Sequence, residues 1–203
     1  MSDILCVTHR LLCREDFLLR IERIARARPR GILLREKDLC EEEYKALAET
    51  VMEICGGNGT PCILHTYARA ARELGCFALH LPLPVLRTLS DAEKACFSTL
   101  GASCHSAEDA VEAQQRGCSY ITAGHIFATD CKKGLPGRGL DFLKEVCAAV
   151  RIPVYAIGGI APGNIGDVRR AGAAGACVMS GAMTCGDVRQ YLASFEGENH
   201  EIS

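Results

Sequence analysis

The sequence predicts one closed parallel (β/α)8 barrel, and three observations lead there. Short apolar runs alternate with longer amphipathic stretches from end to end of the chain. Eight such runs can be counted, the number of strands such a barrel needs. The runs are apolar at consecutive positions rather than at every second one, as strands covered by helices must be. At 203 residues the chain can bury one full core but is short for two ordinary domains. An open doubly wound sheet is the alternative architecture. The barrel is expected over residues 1–196, with a polar, fraying tail from Gly197 to Ser203.

The expected strands are Ile4–Val7, Gly31–Arg35, Cys62–Leu64, Phe77–Leu81, Leu100–Ser103, Tyr120–Thr122, Val154–Ile157 and Ala176–Met179. Between them run helical patterns. Phe17–Ala27 places Leu18, Ile21, Ile24 and Ala25 on one face. Glu41–Cys55 does the same with Tyr44, Leu47, Ala48, Val51 and Ile54. Asp38 and Glu41 have capping-box spacing at its start, and Gly56-Gly57 is expected to stop it. Tyr67–Leu74 is a weaker pattern. Ser106 caps Ala107–Arg116, and Gly139–Ala149, Ile165–Ala171 and Asp187–Phe195 follow. Between Pro82 and Phe97 the periodicity is least clear, although Ser90 and Glu93 again have capping-box spacing.

Composition narrows the function. With 23 basic and 25 acidic side chains the formal net charge is −2, which argues against a nucleic-acid or anionic-membrane surface. No apolar run approaches the ~18 residues of a membrane span, and the first residues lack the pattern of a signal peptide. The 13 cysteines contain no C-x-x-C pair, so zinc ribbons and dithiol redox motifs find no support. Most stand inside apolar segments as small hydrophobes, which points to a reducing cytoplasm.

In such a barrel the loops after the strands carry the chemistry. Gly158-Gly159 after the seventh strand and Ser180-Gly181 after the eighth are small enough for backbone N–H groups to approach an anion. The plain alternative for the glycines is a tight turn. Arg35 and Lys37 follow the second strand; they would hold a carboxylate or phosphate, or else pair with Glu36 or Asp38 in solvent. His125, beside the apolar Ile126-Phe127, fits a proton-transfer group with an ordinary pKa of about 6.5, or a structural histidine. His65 and His105 also follow strands. A metal on these three is discounted, because their loops are separate and no ordered carboxylate accompanies them. Lys132 and Lys133 lie in a loop from Asp130 to Gly139, either a lid over an anion or a solvated turn.

The run from Gly124 to Gly139, with His125, Thr129-Asp130-Cys131-Lys132-Lys133-Gly134 and Gly137-Arg138-Gly139, closely resembles the TenI-like thiazole tautomerases. So do Ser103–Ala110, the Leu81-Pro82 turn, Ala156–Ile160 and Val178–Gly181. These proteins belong to the thiamine phosphate synthase superfamily, so the resemblance also implies a (β/α)8 fold. The sister synthase joins a pyrimidine diphosphate to a thiazole phosphate with Mg²⁺. This sequence departs from the synthase pattern. Leu33 stands where the synthase has Gln, His65-Thr66 replaces an Asn-Asp pair, the His80–Pro84 turn has no acidic residue, and His125 replaces Pro. The missing acids would be the hard oxygen ligands of Mg²⁺.

The resemblance implies a thiazole tautomerase that aromatises a 2-carboxythiazole ethyl phosphate tautomer, with His125 as the catalytic proton carrier. It implies phosphate or substrate contacts at Gly158, Gly159, Ser180 and Gly181, an anion contact at Arg35, with Lys37 completing the Arg-x-Lys motif, and pocket-lining roles for Ser103 and His105. Lys132 matches a synthase lysine near the pyrophosphate. No cofactor and no metal are expected; the partner is a small thiazole phosphate, and a homodimer is left open. The alternatives are a divergent thiamine phosphate synthase and a non-catalytic thiazole phosphate-binding regulator.

Overall fold

The computed structural model describes residues 2–129 and 134–196. The tail from Gly197 and the loop residues 130–133, Lys132 among them, lie outside the described residues. Eight strands follow one another in chain order and close as a barrel: β1 (Ile4–Val7), β2 (Gly31–Leu34), β3 (Cys62–His65), β4 (Ala78–Pro82), β5 (Thr99–Cys104), β6 (Tyr120–Gly124), β7 (Val154–Ile157) and β8 (Gly175–Val178). The open doubly wound alternative is thereby set aside. Each strand is mostly or wholly buried, in keeping with its unbroken apolar run.

The chain forms two compact units, one made of the stretches up to Ala78 and from Val178, the other of Leu79–Cys177. In the first, β2 runs parallel to β1 (Cys6 opposite Ile32) and to β3 (Leu33 opposite Ile63). Helices α1 (Phe17–Arg26) and α2 (Glu41–Asn58) cover it with Ile21, Ile24 and Ala25, and with Tyr44, Ala48, Val51 and Cys55. Each fully buried Ile or Val contributes about 1.5–3 kcal/mol relative to exposure. Short helices α3 (Ala68–Glu73), α9 (Ser180–Thr184) and α10 (Val188–Ala193) complete the unit.

In the second unit β5, β6 and β7 pair in parallel, Ser103 opposite Thr122 and Ala123 opposite Ala156. Helices α4 (Leu83–Leu86), α6 (Ala107–Gln115), α7 (Gly139–Ala149) and α8 (Ile165–Arg170) bury Leu86, Ala110, Ala113, Leu143, Val146 and Val168, while the single turn α5 (Asp91–Lys94) buries no residue. The expected caps hold here. Ser106 accepts from the Asp109 amide at 3.1 Å, and Ser90 with Glu93 forms a capping box.

Two expectations for α2 need correction. Its N-cap is Cys40, whose amide donates to Glu43 at 3.1 Å, because Asp38 is bound by Arg10 at 2.6 Å and cannot turn back to cap. Gly56 and Gly57 do not stop it; they are helical, and the helix ends at Gly59, whose φ of 66° only glycine adopts readily. The stretch from Pro82 to Phe97 resolves into α4 and α5.

Candidate active site at the strand ends

In the first unit the end of β2 is organised by Glu36. Its carboxylate is fully buried and accepts from the Thr8 hydroxyl at 2.6 Å and from the Arg10 amide at 3.1 and 3.0 Å. The Thr8 hydroxyl oxygen in turn accepts from the Arg35 amide at 2.9 Å. Arg10 holds the Asp38 carboxyl below its usual pKa through a hydrogen bond. The two carboxylates beside Arg35 and Lys37 are therefore engaged by Arg10, not by those cations alone. Arg35 is half-buried and Lys37 exposed, at the C-terminal end of β2.

At the end of β3, Tyr44 from α2 sends its hydroxyl to the Leu34 carbonyl at 2.7 Å and accepts the His65 amide at 2.8 Å. Burial pushes the Tyr44 phenol far above its usual pKa, so it stays neutral. His65 is itself buried and meets the Thr66 hydroxyl at 2.6 Å through Nδ1. Thr66 has a φ of 71°, an uncommon conformation for a β-branched residue and one that concentrates at functional sites. After β8, Ser180 and Gly181 begin α9. Tyr191 of α10 lies directly over Gly181: a Cβ there would fall 2.5 Å from the Tyr191 Cζ.

In the second unit His125 follows β6, half-buried, with Nε2 3.4 Å from the Leu135 carbonyl. Its backbone is held on both sides. The Ile126 amide donates to Ile157 at 3.0 Å, Phe127 donates to Gly158 at 3.0 Å, and Arg138 donates to His125 at 3.0 Å. Gly158 (φ 98°) and Gly159 (φ 67°) both need the left-handed region, and their missing Cβ atoms leave the room that His125 and Phe127 occupy. The pair makes the tight turn that was its plain alternative, and that turn places the backbone of His125. At the far end of the stretch read as a lid or a solvated turn, Arg138 and Gly139 donate to His125 and Ile126; residues 130–133 lie outside the described residues.

His105 follows β5 and sends Nδ1 to the Gly124 carbonyl at 2.9 Å. A carbonyl only accepts, so Nδ1 carries a proton and donates in this bond. Ser103 Oγ, on β5, is 2.9 Å from His80 Nε2 of β4, and His80 Nδ1 is 3.0 Å from the Tyr120 hydroxyl of β6. Sequence reading did not find His80 or Tyr120 as site residues, nor Thr8, Glu36 and Arg10. The available signal for His80 was a polar side chain inside an apolar run; Thr8, Arg10 and Glu36 follow the β1 and β2 runs and offered no such signal.

The synthase branch implies Mg²⁺, which needs several hard oxygen ligands in near-octahedral array. Among the described residues no three His, Cys, Asp or Glu side chains are grouped to hold a metal ion. At the strand ends where the resemblance would put carboxylates stand His65-Thr66 and Pro82-Leu83, and Glu36 already accepts from Thr8 and Arg10. Among the described residues, these strand-end donors do not fit a carboxylate-held magnesium.

Fold and strand-end chemistry together define a (β/α)8 barrel of the kind that carries its functional groups at the C-terminal ends of its strands. Within that class, the chain belongs to the thiamine monophosphate synthase family, whose profile matches residues 4–182. It is 32% identical over 193 residues to thiamine-phosphate synthase 2 of Streptococcus pneumoniae, covering 93% of this chain and 90% of that one. It is 37% identical over 165 residues to thiamine-phosphate synthase of Moorella thermoacetica, covering 78% and 76%. Among solved structures, thiamine phosphate pyrophosphorylase from Pyrococcus furiosus superposes with a TM-score of 0.82 at 25% identity, covering 96% and 93%. The names of these relatives fit the synthase alternative better than the tautomerase reading. No described helix is long and apolar enough to cross a membrane.

Proposed function

We propose that the chain acts in thiamine biosynthesis as a thiazole tautomerase. The observation that carries this reading is His125: an imidazole just after β6, its carbonyl bound by the Arg138 amide and the next two residues by Ile157 and Gly158, where the resemblance implies a proline, which cannot move a proton, in the synthases. Tautomerisation shifts one proton, and the gain of aromaticity drives it. The enzyme needs an acid/base near neutral pKa and seats for two anions. The phosphate is assigned to the Gly158-Gly159 and Ser180-Gly181 corners and the carboxylate to Arg35 and Lys37, with Ser103 and His105 lining the site. Lys132 is assigned a further contact with the anion. This reading calls for no metal, in keeping with the donor set at the strand ends.

The synthase is the second reading, favoured by what the relatives are called. One experiment separates the two. The protein is incubated in excess chelator with the non-aromatic thiazole carboxylate phosphate, and aromatisation is followed by ultraviolet absorbance. In parallel it receives pyrimidine diphosphate, thiazole phosphate and Mg²⁺, and pyrophosphate is assayed. Aromatisation under chelator, lost in His125→Asn, supports the tautomerase. Magnesium-dependent pyrophosphate release without aromatisation overturns it in favour of the synthase.

A further inference from the structure

Inside the second unit a line of polar side chains climbs the strands. Tyr120 is the first residue of β6, His80 is at the middle of β4, and Ser103 is the last but one of β5. Tyr120 and His80 are buried, 6% and 2% exposed, while Ser103 is only half-buried, so the line leads from the interior to the strand ends. Room for it is built into β5: a Cβ on Gly101 would fall 2.6 Å from His80 Nδ1 and collide with the Tyr120 ring. The Tyr120 ring also meets Tyr155 edge-on, at 5.8 Å between centroids, which fixes its plane.

The direction of the hydrogen bonds follows from satisfiability. A buried phenol is neutral, and its O–H needs an acceptor. The partner of the Tyr120 hydroxyl among the described residues is His80 Nδ1, at 3.0 Å. Nδ1 therefore accepts, and in neutral imidazole the proton stands on Nε2. Nε2 then donates to Ser103 Oγ at 2.9 Å. Thr122 Oγ1 is 3.5 Å from the same oxygen, at the edge of hydrogen-bond range. With its oxygen taken by His80, Ser103 has its own proton left to give.

We propose that Tyr120 and His80 set the polarity of Ser103, making it a hydrogen-bond donor towards the ligand, so that the ligand group it meets is an anionic oxygen acceptor. His80 and Tyr120 are positioning residues that act through Ser103. The proposal rests on the reading above only in taking Ser103 as a ligand-facing residue.

Two measurements test it. In protein labelled with ¹⁵N-histidine, long-range ¹H–¹⁵N correlation reports the His80 tautomer: a protonated Nε2 and a bare Nδ1 are expected, and a protonated Nδ1 overturns the proposal. In Tyr120→Phe the bare Nδ1 loses its donor, and the two tautomers should mix. The second measurement is calorimetric affinity for 2-carboxythiazole ethyl phosphate. Ser103→Ala should weaken binding about tenfold, the size of one hydrogen bond to a charged group. Tyr120→Phe should weaken it about two- to tenfold. The double variant should bind no worse than Ser103→Ala, because one effect passes through the other. Losses that multiply would mean that Tyr120 acts only by packing, and would overturn the proposal. Both readouts are independent of turnover, so failure of the tautomerase reading shows separately as an inert wild type.

Discussion

Gly158 is in direct contact with the backbone of His125: a Cβ at Gly158 would lie 2.8 Å from the His125 Cα. With a φ of 98°, Gly158 is also in a conformation that an L-residue resists. Gly158→Ala should therefore cost about 1–3 kcal/mol in urea unfolding and lower activity by displacing the imidazole. Gly163→Ala, with open space around its Cβ, serves as the comparison and should change neither by much.

His125→Asn should keep the fold, since the side chain is only half-buried and its side-chain hydrogen bond among the described residues is the 3.4 Å approach to the Leu135 carbonyl. If His125 carries the proton, the aromatisation rate falls about 10²-fold or more. Steady-state assay with a melting curve on the same sample separates loss of chemistry from loss of structure.

Glu36 has a purely architectural test. Glu36→Gln replaces one of two oxygens that accept from the Arg10 amide and weakens the bonds to Thr8 and Arg10. The side chain is fully buried, so an expected loss is about 1–3 kcal/mol. Denaturant unfolding measures it, and a change below experimental error would show that Thr8 and Arg10 hold the β2 end without it.

Acid should release the Glu112 cluster. Hydrogen bonds from Arg87 and Arg116 lower the Glu112 pKa from 4.5 to about 2. The folded pKa lies below the unfolded one, so its stabilisation is complete above about 4.5 and disappears as pH falls towards 2. Glu112→Gln should be less stable than wild type at pH 7, by a small amount because the cluster is exposed. The two should converge near pH 2 in acid-unfolding curves.

Burial raises the thiols of Cys104 and Cys177 to about 12 and that of Cys118 to about 11. Cys40 and Cys96 are exposed. Among the described thiols, a disulfide reagent at pH 8 should label Cys40 and Cys96 before Cys104, Cys118 and Cys177, which peptide mapping should find only after denaturation.

The strands were legible because β-strands of a covered parallel sheet are short unbroken apolar runs, and these ended within two residues of the expected positions. Local rules failed where a distant residue competed. Asp38 has the spacing of a cap, but Arg10, 28 residues earlier, binds it first. Gly56 and Gly57 read as breakers, yet nothing lies near their Cβ positions and the helix passes through to Gly59. His125 and the glycine corners were visible because each is chemically odd at a strand end. His80, Tyr120 and Ser103 belong to three different strands, so their hydrogen bonds exist only once the strands are side by side.

The seat of Tyr191 on Gly181 ties the last helix to the corner where β8 hands over to α9. Tyr191 is braced by Phe195, edge-on at 5.2 Å between ring centroids. Residues 188–195 thus work as a wedge behind a loop they do not belong to. A chain cut before Asp187 would keep every strand and every strand-end side chain, yet leave that corner without its backing. The packing that backs this corner therefore extends past residue 182, the last matched by the family profile, to Phe195.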